Sequence, residues 1–127
     1  MIDISDVEKI HNLLIDKFGG GKGVRDRGAL EAAVARPFAT FDNNDLYPSP
    51  IDKAAAILES IVTNHPFIDG NKRTGYVLAR LILLNAGLDI EASQEEKYKL
   101  VIAVSKSQLN FDQIREWLTQ KQKKNEP

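Results

Sequence analysis

The segment from His65 to Arg73 brings together residue types that suit the transfer of a phosphate-containing group. His65 is the one group of the segment that can accept a proton near neutral pH, which the deprotonation of a hydroxyl nucleophile requires. Asp69 offers a carboxylate oxygen, the ligand that Mg²⁺ prefers where it shares a site with phosphates. The segment therefore predicts a general base and a metal ligand a few residues apart.

The second half of the segment suits the binding of phosphate. Asn71, Lys72 and Arg73 stand at the predicted start of a helix, which Asp69 could also cap. Unpaired backbone N–H groups and the helix dipole attract anions there. Gly70 lets the backbone turn tightly, Lys72 adds a point charge, and Arg73 adds a planar fork of donors. Because cations at a helix N-terminus oppose the dipole, this pair indicates an anionic partner.

Two predicted helices flank the segment. Ser49 as cap and Pro50 at the first helical position open the earlier helix, which should run to about Asn64. The later helix starts near Asn71, and Gly87 is placed to end it. Its sequence is apolar on nearly every face, which is typical of the buried centre of a bundle.

Four further helices are predicted from capping patterns and apolar spacing. Their predicted capping residues are Ser5 with Glu8, Asp26, Ser93 with Glu96, and Asn110 with Gln113. The first of these helices, with an apolar face that ends on Phe18, carries His11 as a surface or packing residue. The run Gly19–Gly23 then forms a turn, because it lacks the features of a phosphate loop. The second helix covers residues 29–36 and ends at Pro37.

Three segments fall outside the helical pattern. Residues 38–49 have turn chemistry and little apolar periodicity. Leu88 to Glu91 alternates as a short strand does, but no pairing partner is evident. Lys121 to Lys124 is expected to be a frayed, solvated helix end. We therefore predict an all-α fold: a compact bundle of about six helices around a buried central helix.

Three side chains outside the motif are expected to be structural. Arg80 lies on an otherwise apolar helix and should meet a carboxylate in the core. Tyr98 and Trp117 should pack inside the bundle.

Composition limits the classes of protein to which the chain can belong. Its 127 residues fit a single domain, 1–127, and 43% of them are hydrophobic, enough for one core. Cysteine is absent, so disulfides and thiolate zinc sites are excluded. A formal net charge of −1 argues against a general nucleic-acid binder. The acidic N-terminus and the short apolar stretches predict a cytoplasmic protein that does not engage a membrane.

The motif resembles that of the Fic/Doc family, in which His-Pro-Phe is followed two residues later by an acidic residue, Gly, Asn, Gly and Arg. Residues His65 to Arg73 match this pattern in order, and Asn71 to Thr74 is closer to the Doc (death-on-curing) branch. The stretch Val24 to Pro37 also resembles the N-terminal region of Doc-type proteins. Together with the helix order, the resemblance covers nearly the whole chain and implies a Fic/Doc-like fold.

The resemblance implies a role for each matching position. His65 would be the base that acts on a Ser or Thr hydroxyl of a target protein, and Asp69 would hold Mg²⁺. Phe67 would anchor the loop in the core, and residues 38–49 would lie beside the cleft and hold the backbone of the target. The phosphates of ATP would be bound by Gly70, Asn71, Lys72 and Arg73.

Two departures from the general Fic pattern bear on the reaction. Lys72 replaces a glycine, and Tyr76 stands where a second phosphate-binding arginine is expected. In Doc-type proteins the lysine goes with a nucleotide bound the other way round, so that the γ-phosphate reaches the target. A toxin-type protein kinase is therefore the leading hypothesis, and a protein adenylyltransferase acting on a Ser, Thr or Tyr hydroxyl is the alternative.

Two non-enzymatic hypotheses are weaker. A catalytically inactive binding module would be expected to lose either His65 or Asp69, and both are present. A helix-turn-helix DNA binder would need a basic face to neutralise phosphates.

The resemblance also implies partners. The target would be a translation factor such as elongation factor Tu. Many Fic proteins carry an inhibitory helix with a Ser/Thr-x-x-x-Glu-Gly/Asn pattern, which this sequence lacks. We therefore expect an antitoxin that acts in trans and whose C-terminal segment folds into the cleft.

Overall fold

The computed structural model describes residues 2–125 and confirms the all-α architecture. The α-helices in this part of the chain are α1 (Ile4–Phe18), α2 (Arg27–Ala35), α3 (Pro50–Asn64), α4 (Asn71–Asn85), α5 (Gln94–Ser105) and α6 (Phe111–Lys121), and a short 3₁₀ helix, Arg36–Phe38, follows α2. The strands are short: β1 (Thr40–Phe41), β2 (Asn44–Asp45), β3 (Leu88–Ile90) and β4 (Gln122–Lys124). None of the helices so described is long and apolar enough to cross a membrane.

Local capping sets most of the helix starts, as the sequence predicts. Ser49 caps α3 as expected and forms a capping box there with Asp52, and the expected capping boxes form at the starts of α5 and α6, on Ser93 and Asn110. Asp26 caps α2 by accepting the backbone N–H of Ala29 at 3.0 Å. Because each of these contacts joins residues two or three positions apart, the pattern is visible in the sequence alone.

Helix α1 begins earlier than its sequence pattern indicates. Asp3 caps it by accepting the N–H of Ser5 at 2.8 Å, and Ile4 is the first helical residue. The predicted capping box of Ser5 with Glu8 is therefore wrong, since Ser5 already lies in the first turn. Phe18, expected on the buried face, is 51% exposed at the last residue of the helix.

Helix α3, rather than α4, is the most deeply buried helix of the described residues. Nine residues of α3 are buried, against seven of α4, and α3 packs on α2, α4, α5 and α6. The expectation that α4 forms the buried centre is therefore wrong. Three consecutive alanines, Ala54 to Ala56, are fully buried and let the neighbouring helices close around α3.

A two-stranded ribbon corrects two expectations about the C-terminal part of the chain. Strand β3 pairs antiparallel with β4, with Leu88 opposite Lys124 and Ile90 opposite Gln122. Residues 122–124, expected to be a frayed helix end, thus supply the partner strand that the sequence did not reveal. The pairing satisfies backbone groups that a frayed end would leave to water.

A β-hairpin occupies part of the segment 38–49, which was expected to be irregular. Its register is Thr40 with Asp45 and Phe41 with Asn44. Asp42 and Asn43 form the turn with φ of 54° and 63°, as a two-residue type I′ hairpin requires. Phe41, at 75% exposure, projects from the hairpin into solvent.

Two of the three side chains expected to be structural are so. The guanidinium of Arg80 donates to both carboxylate oxygens of Asp89, at 2.8 and 3.0 Å, which confirms a carboxylate partner, but Arg80 is exposed and the pair lies at the edge of the core, not inside it. Trp117 is half-buried against the core. Tyr98 is 64% exposed, so the expectation that it packs inside the bundle is wrong.

Candidate active site

The motif loop joins the C-terminus of α3 to the N-terminus of α4. His65 ends α3 in the left-handed conformation, with φ 49° and ψ 58°, a rare region for a residue that has a Cβ. Arg25 stabilises this turn, because its Nε donates to the carbonyl of His65 at 2.6 Å and its Nη2 to that of Asn64 at 2.7 Å. His65 itself is exposed. The backbone of the candidate base is therefore fixed while the residue stays accessible to a protein substrate.

The chain just before α2 runs alongside the motif loop and pairs with it. The amides of Arg25 and Asp26 donate to the carbonyl of Pro66 at 2.7 and 3.0 Å. The amide of Ile68 donates to the carbonyl of Gly23 at 3.1 Å. The loop is thus held by backbone hydrogen bonds from a segment about forty residues earlier in the chain.

Asn71 and Phe67 close the loop on itself. The side-chain Oδ1 of Asn71 accepts the N–H of Phe67 at 3.0 Å, and its Nδ2 donates to the carbonyl of Phe67 at 2.9 Å. Phe67 is 1% exposed, as expected for a core anchor. The side chain of Asn71, predicted to bind phosphate, is therefore committed to the loop, and only its backbone N–H faces the helix N-terminus.

His11 of α1 lies against the same loop. Its ring stacks on that of Phe67, with the centroids 3.8 Å apart and the planes inclined by 6°. Its Nε2 hydrogen-bonds the carbonyl oxygen of Asp69 at 2.7 Å. His11 was expected to be a surface or a packing residue, and it is a packing residue, since its side chain is 1% exposed. The hydrogen bond to the motif was not predicted.

The carboxylate of Asp69 is exposed and oriented by two backbone amides. Its Oδ1 accepts the N–H of Gly70 at 2.8 Å, and its Oδ2 accepts the N–H of Gly21 at 3.2 Å. These hydrogen bonds, that from Gly70 first, hold the pKa of Asp69 below its ordinary value, so the group is ionised at neutral pH. A Cβ on Gly20 would lie 2.7 Å from Oδ2. The glycine run is therefore not only a turn, because Gly20 leaves room for the Asp69 carboxylate and Gly21 donates a hydrogen bond to it.

The first turn of α4 presents unpaired amides and two cations. Gly70 is the N-cap, with φ 77°, and no side chain caps the helix, so Asp69 does not serve as cap. Within the described protein, the amides of Asn71, Lys72 and Arg73 donate to no acceptor. Lys72 and Arg73 are exposed, so unpaired amides and two cations lie together at this end of the helix, the arrangement that suits an anion.

Arg73 is held by an aromatic ring. The centre of its guanidinium lies 3.9 Å from the ring centroid of Phe18, the last residue of α1. Such stacking uses the face of the guanidinium and leaves its in-plane N–H donors free. The exposed position of Phe18 thus has a structural reason that the apolar pattern of α1 did not reveal.

A cavity of about 360 Å³ opens at the start of α4. One wall consists of Asp69, Gly70, Asn71, Lys72, Arg73 and Tyr76, and the other consists of Gln94, Lys97, Tyr98 and Val101 of α5. The structure thus brings together every predicted phosphate-binding residue. His65 is not among the lining residues. The α5 wall was missed by sequence reasoning, because α5 follows the motif by more than twenty residues and carries no motif of its own.

Tyr76, which lines this cavity, and Arg80 lie further along α4 than the cations of its first turn. The hydroxyl of Tyr76 is buried without a hydrogen-bond partner, and burial raises the pKa of Tyr76, which keeps it neutral. Arg80 is paired with Asp89. Neither residue therefore supplies a free cation one or two turns into the helix.

Fold and site together define a Fic-type protein. The sequence model of the Fic/DOC family matches residues 1–83, and the chain belongs to this family. It is 51% identical over 75 residues to a protein named Toxin Doc from Mycolicibacterium smegmatis, across 59% of this chain and 58% of that protein. It is 44% identical over 55 residues to a Fido domain-containing protein from Dictyostelium discoideum, across 40% of this chain and 38% of that protein. The matched part is less than two thirds of either relative.

Proposed function

We propose that the protein is a toxin-type protein kinase that transfers the γ-phosphate of ATP to a Ser or Thr hydroxyl of a target protein. The observation that carries this proposal is the charge arrangement along α4. Lys72 lines the cavity at the helix N-terminus in place of the glycine of the general pattern, Tyr76 offers a neutral hydroxyl, and Arg80 is paired elsewhere. An α-phosphate held for AMP transfer would lack a second bidentate clamp. The terminal phosphate, which is less constrained, can settle against the amides and cations of the first turn.

The proposed reaction is a direct transfer. The hydroxyl oxygen of the target attacks the γ-phosphorus, and the bond from that phosphorus to the oxygen bridging to the β-phosphate breaks. His65 accepts the hydroxyl proton, and ADP leaves with the electron pair of the broken bond. Lys72, Arg73 and the unpaired amides of α4 neutralise the charge on the phosphate oxygens, which is the main requirement of phosphoryl transfer.

The donor set at Asp69 suits a Mg²⁺ ion that is shared with a nucleotide. The carboxylate is exposed, ionised and fixed in orientation by its two amide donors. Among the residues that the structure describes, no group of three His, Cys, Asp or Glu side chains could hold a metal on its own. A single carboxylate fits an ion that takes its remaining ligands from water and substrate phosphates. When bound, Mg²⁺ would neutralise charge on those phosphates.

The partners follow from the proposed activity and from the similarity to a protein named Toxin Doc. We take elongation factor Tu as the first acceptor to test, and we propose an antitoxin that inhibits in trans. The cavity is open between α4 and α5, and the exposed ring of Tyr98 beside it offers an apolar contact to an inhibitor segment.

Intact-mass measurement tests the proposed function. Elongation factor Tu is incubated with Mg·ATP and either the parent protein or His65→Ala. We expect the parent to add the mass of a phosphate and His65→Ala to add nothing, although the exposed side chain makes no contribution to the core. Addition of AMP would support the adenylyltransferase alternative instead. An unmodified acceptor excludes elongation factor Tu, and no modification of any protein in a cell extract would favour the binding module.

A further inference from the structure

His11 is a buried polar side chain to which the proposed reaction assigns no role. It lies on α1, 58 positions from the residue whose carbonyl it contacts. A carbonyl oxygen can only accept, so Nε2 of His11 must carry the proton. Stacking on Phe67 fixes the plane of the imidazole, and Phe67 is itself held by both polar groups of Asn71. The donor therefore has a defined direction.

The peptide bond between Asp69 and Gly70 is the group that His11 orients. In a trans peptide the carbonyl of one residue and the N–H of the next lie in one rigid plane and point in opposite directions. Because His11 draws the carbonyl of Asp69 towards α1, the N–H of Gly70 points away from α1. On that side it donates to Oδ1 of Asp69. The carbonyl that His11 contacts and the N–H that holds the Asp69 carboxylate belong to the same rigid peptide. By fixing the direction of the carbonyl, His11 therefore also fixes the direction of that N–H.

The conformation that competes with the observed one has the Asp69–Gly70 peptide rotated. Gly70 has no Cβ, lies at φ 77° and so resists such rotation little. Both Asp69 and Gly70 line the cavity at the start of α4. A rotated peptide would turn a carbonyl oxygen away from α1 and take the amide from the carboxylate. A partial negative charge would then face the position of an anionic ligand.

We propose that His11 is a positioning residue that holds the Asp69–Gly70 peptide in the orientation needed to bind a metal-nucleotide. The consequence of this role for nucleotide binding rests on the proposed function, whereas the effect of His11 on the orientation of the peptide does not. His11 works as a donor both as the neutral Nε2–H tautomer and as the imidazolium. Its action therefore does not require a change in protonation.

The test uses two variants of His11 and a control on the same helix. His11→Phe keeps an aromatic ring to stack on Phe67 but removes the donor. His11→Gln keeps an N–H donor and loses the stacking. Val7→Ala removes buried atoms of α1 one turn before His11, leaves the His11 hydrogen bond in place and so reports on destabilisation of the helix packing. The readouts are the ¹⁵N–¹H signal of Gly70 and the affinity for Mg·ADP measured by calorimetry.

In His11→Phe we expect the Gly70 signal to shift or broaden and Mg·ADP to bind about tenfold more weakly, the effect of losing one oriented hydrogen bond. His11→Gln should restore part of the Gly70 signal and part of the affinity for Mg·ADP, and Val7→Ala should change neither the signal nor the affinity. An unchanged Gly70 signal in His11→Phe would overturn the proposal, as would a changed signal with unchanged affinity. Should the parent itself not bind Mg·ADP, the proposed function fails, and the Gly70 signal still decides the role of His11.

Discussion

The side chain of Asn71 shapes the candidate site through hydrogen bonds to the loop backbone. Its amide group spans the backbone N–H and carbonyl of Phe67, four residues earlier, and both contacts are buried. The turn between them contains Ile68, Asp69 and Gly70. The direction of the Asp69 carboxylate therefore depends on Asn71 as well as on its own amide donors.

The variant Asn71→Ala tests this role. It would leave the buried N–H and carbonyl of Phe67 without partners, so we expect the free energy of unfolding to fall by about 2 to 4 kcal/mol. The neighbouring exposed substitution Lys72→Ala serves as control and should change it by about 0.5 kcal/mol or less. Urea denaturation measures both. Equal stability of the two variants would mean that the loop does not depend on Asn71.

The contiguous part of the site could be predicted from the sequence, and the rest could not. His65, Asp69 and the cations follow one another in the chain, so their residue types and spacing are visible together. His11 and Gly21 reach Asp69 from 58 and 48 positions away. Only the packing of α1 against the loop brings them close. Phe18 belongs to the same group, since its partner Arg73 is equally remote in the chain.

Among the helices, the contact between α3 and α4 fixes the helix that carries the proposed phosphate-binding residues. Gly75 lies one turn after Asn71 and faces α3. A Cβ at this position would be 2.8 Å from Cγ2 of Val62 and 3.4 Å from Cβ of Ile61. Both neighbours are β-branched and stiff, so they cannot easily move aside.

Gly75→Ala should therefore destabilise the protein although alanine favours helix. The overpacking outweighs the gain in helix propensity, and we expect a net loss of about 1 kcal/mol. The matched control is Gly28→Ala in α2, where a Cβ would meet only Oδ1 of Asp26 at an ordinary 3.5 Å. Gly28→Ala should leave stability unchanged or raise it by about 0.5 kcal/mol. If thermal unfolding shows the two variants to be alike, the close approach is not limiting.

The β3–β4 ribbon is joined to α4 by an ion pair that should respond to pH. The Arg80 guanidinium holds the pKa of Asp89 down from its ordinary 3.8 to about 2. The unfolded chain thus binds the proton first as pH falls from about 4 to 2, and stability is lost across that window. In Asp89→Asn this contribution is missing. We expect the difference in melting temperature between parent and variant to shrink as the pH approaches 2; a constant difference would contradict the assignment.

The helices could be predicted because their start signals are local, and the ribbon could not because its pairing is not. The capping boxes at Ser49, Ser93 and Asn110 each involve residues three positions apart. Leu88 and Lys124 pair in the ribbon, but in the sequence they are separated by the whole of α5 and α6. The prediction that α4 rather than α3 is the most buried helix failed because the relevant signal in the sequence of α3 is weak. Alanines give α3 a weak apolar signal, although their small size is what buries it.

At the scale of the whole molecule, the proposed activity predicts toxicity that depends on one residue. Expression of the parent protein without an antitoxin should slow bacterial growth, whereas His65→Ala, expressed to the same level, should not. The comparison is informative because His65 is exposed and its replacement leaves the core intact. Growth curves with matched expression give the result. Identical growth with both proteins would remove support for a toxin.

The proposed kinase reaction is best tested by which phosphorus of ATP reaches the acceptor protein. The parent and the double variant Lys72→Gly with Tyr76→Arg are each incubated with one acceptor protein and with ATP labelled at either the α- or the γ-phosphorus. His65→Ala is the blank. The parent should transfer γ-label and no α-label, because Lys72 replaces the glycine of the general pattern and Tyr76 cannot clamp an α-phosphate. The double variant should lose γ-transfer. Transfer of α-label by the parent would contradict the account and establish an adenylyltransferase.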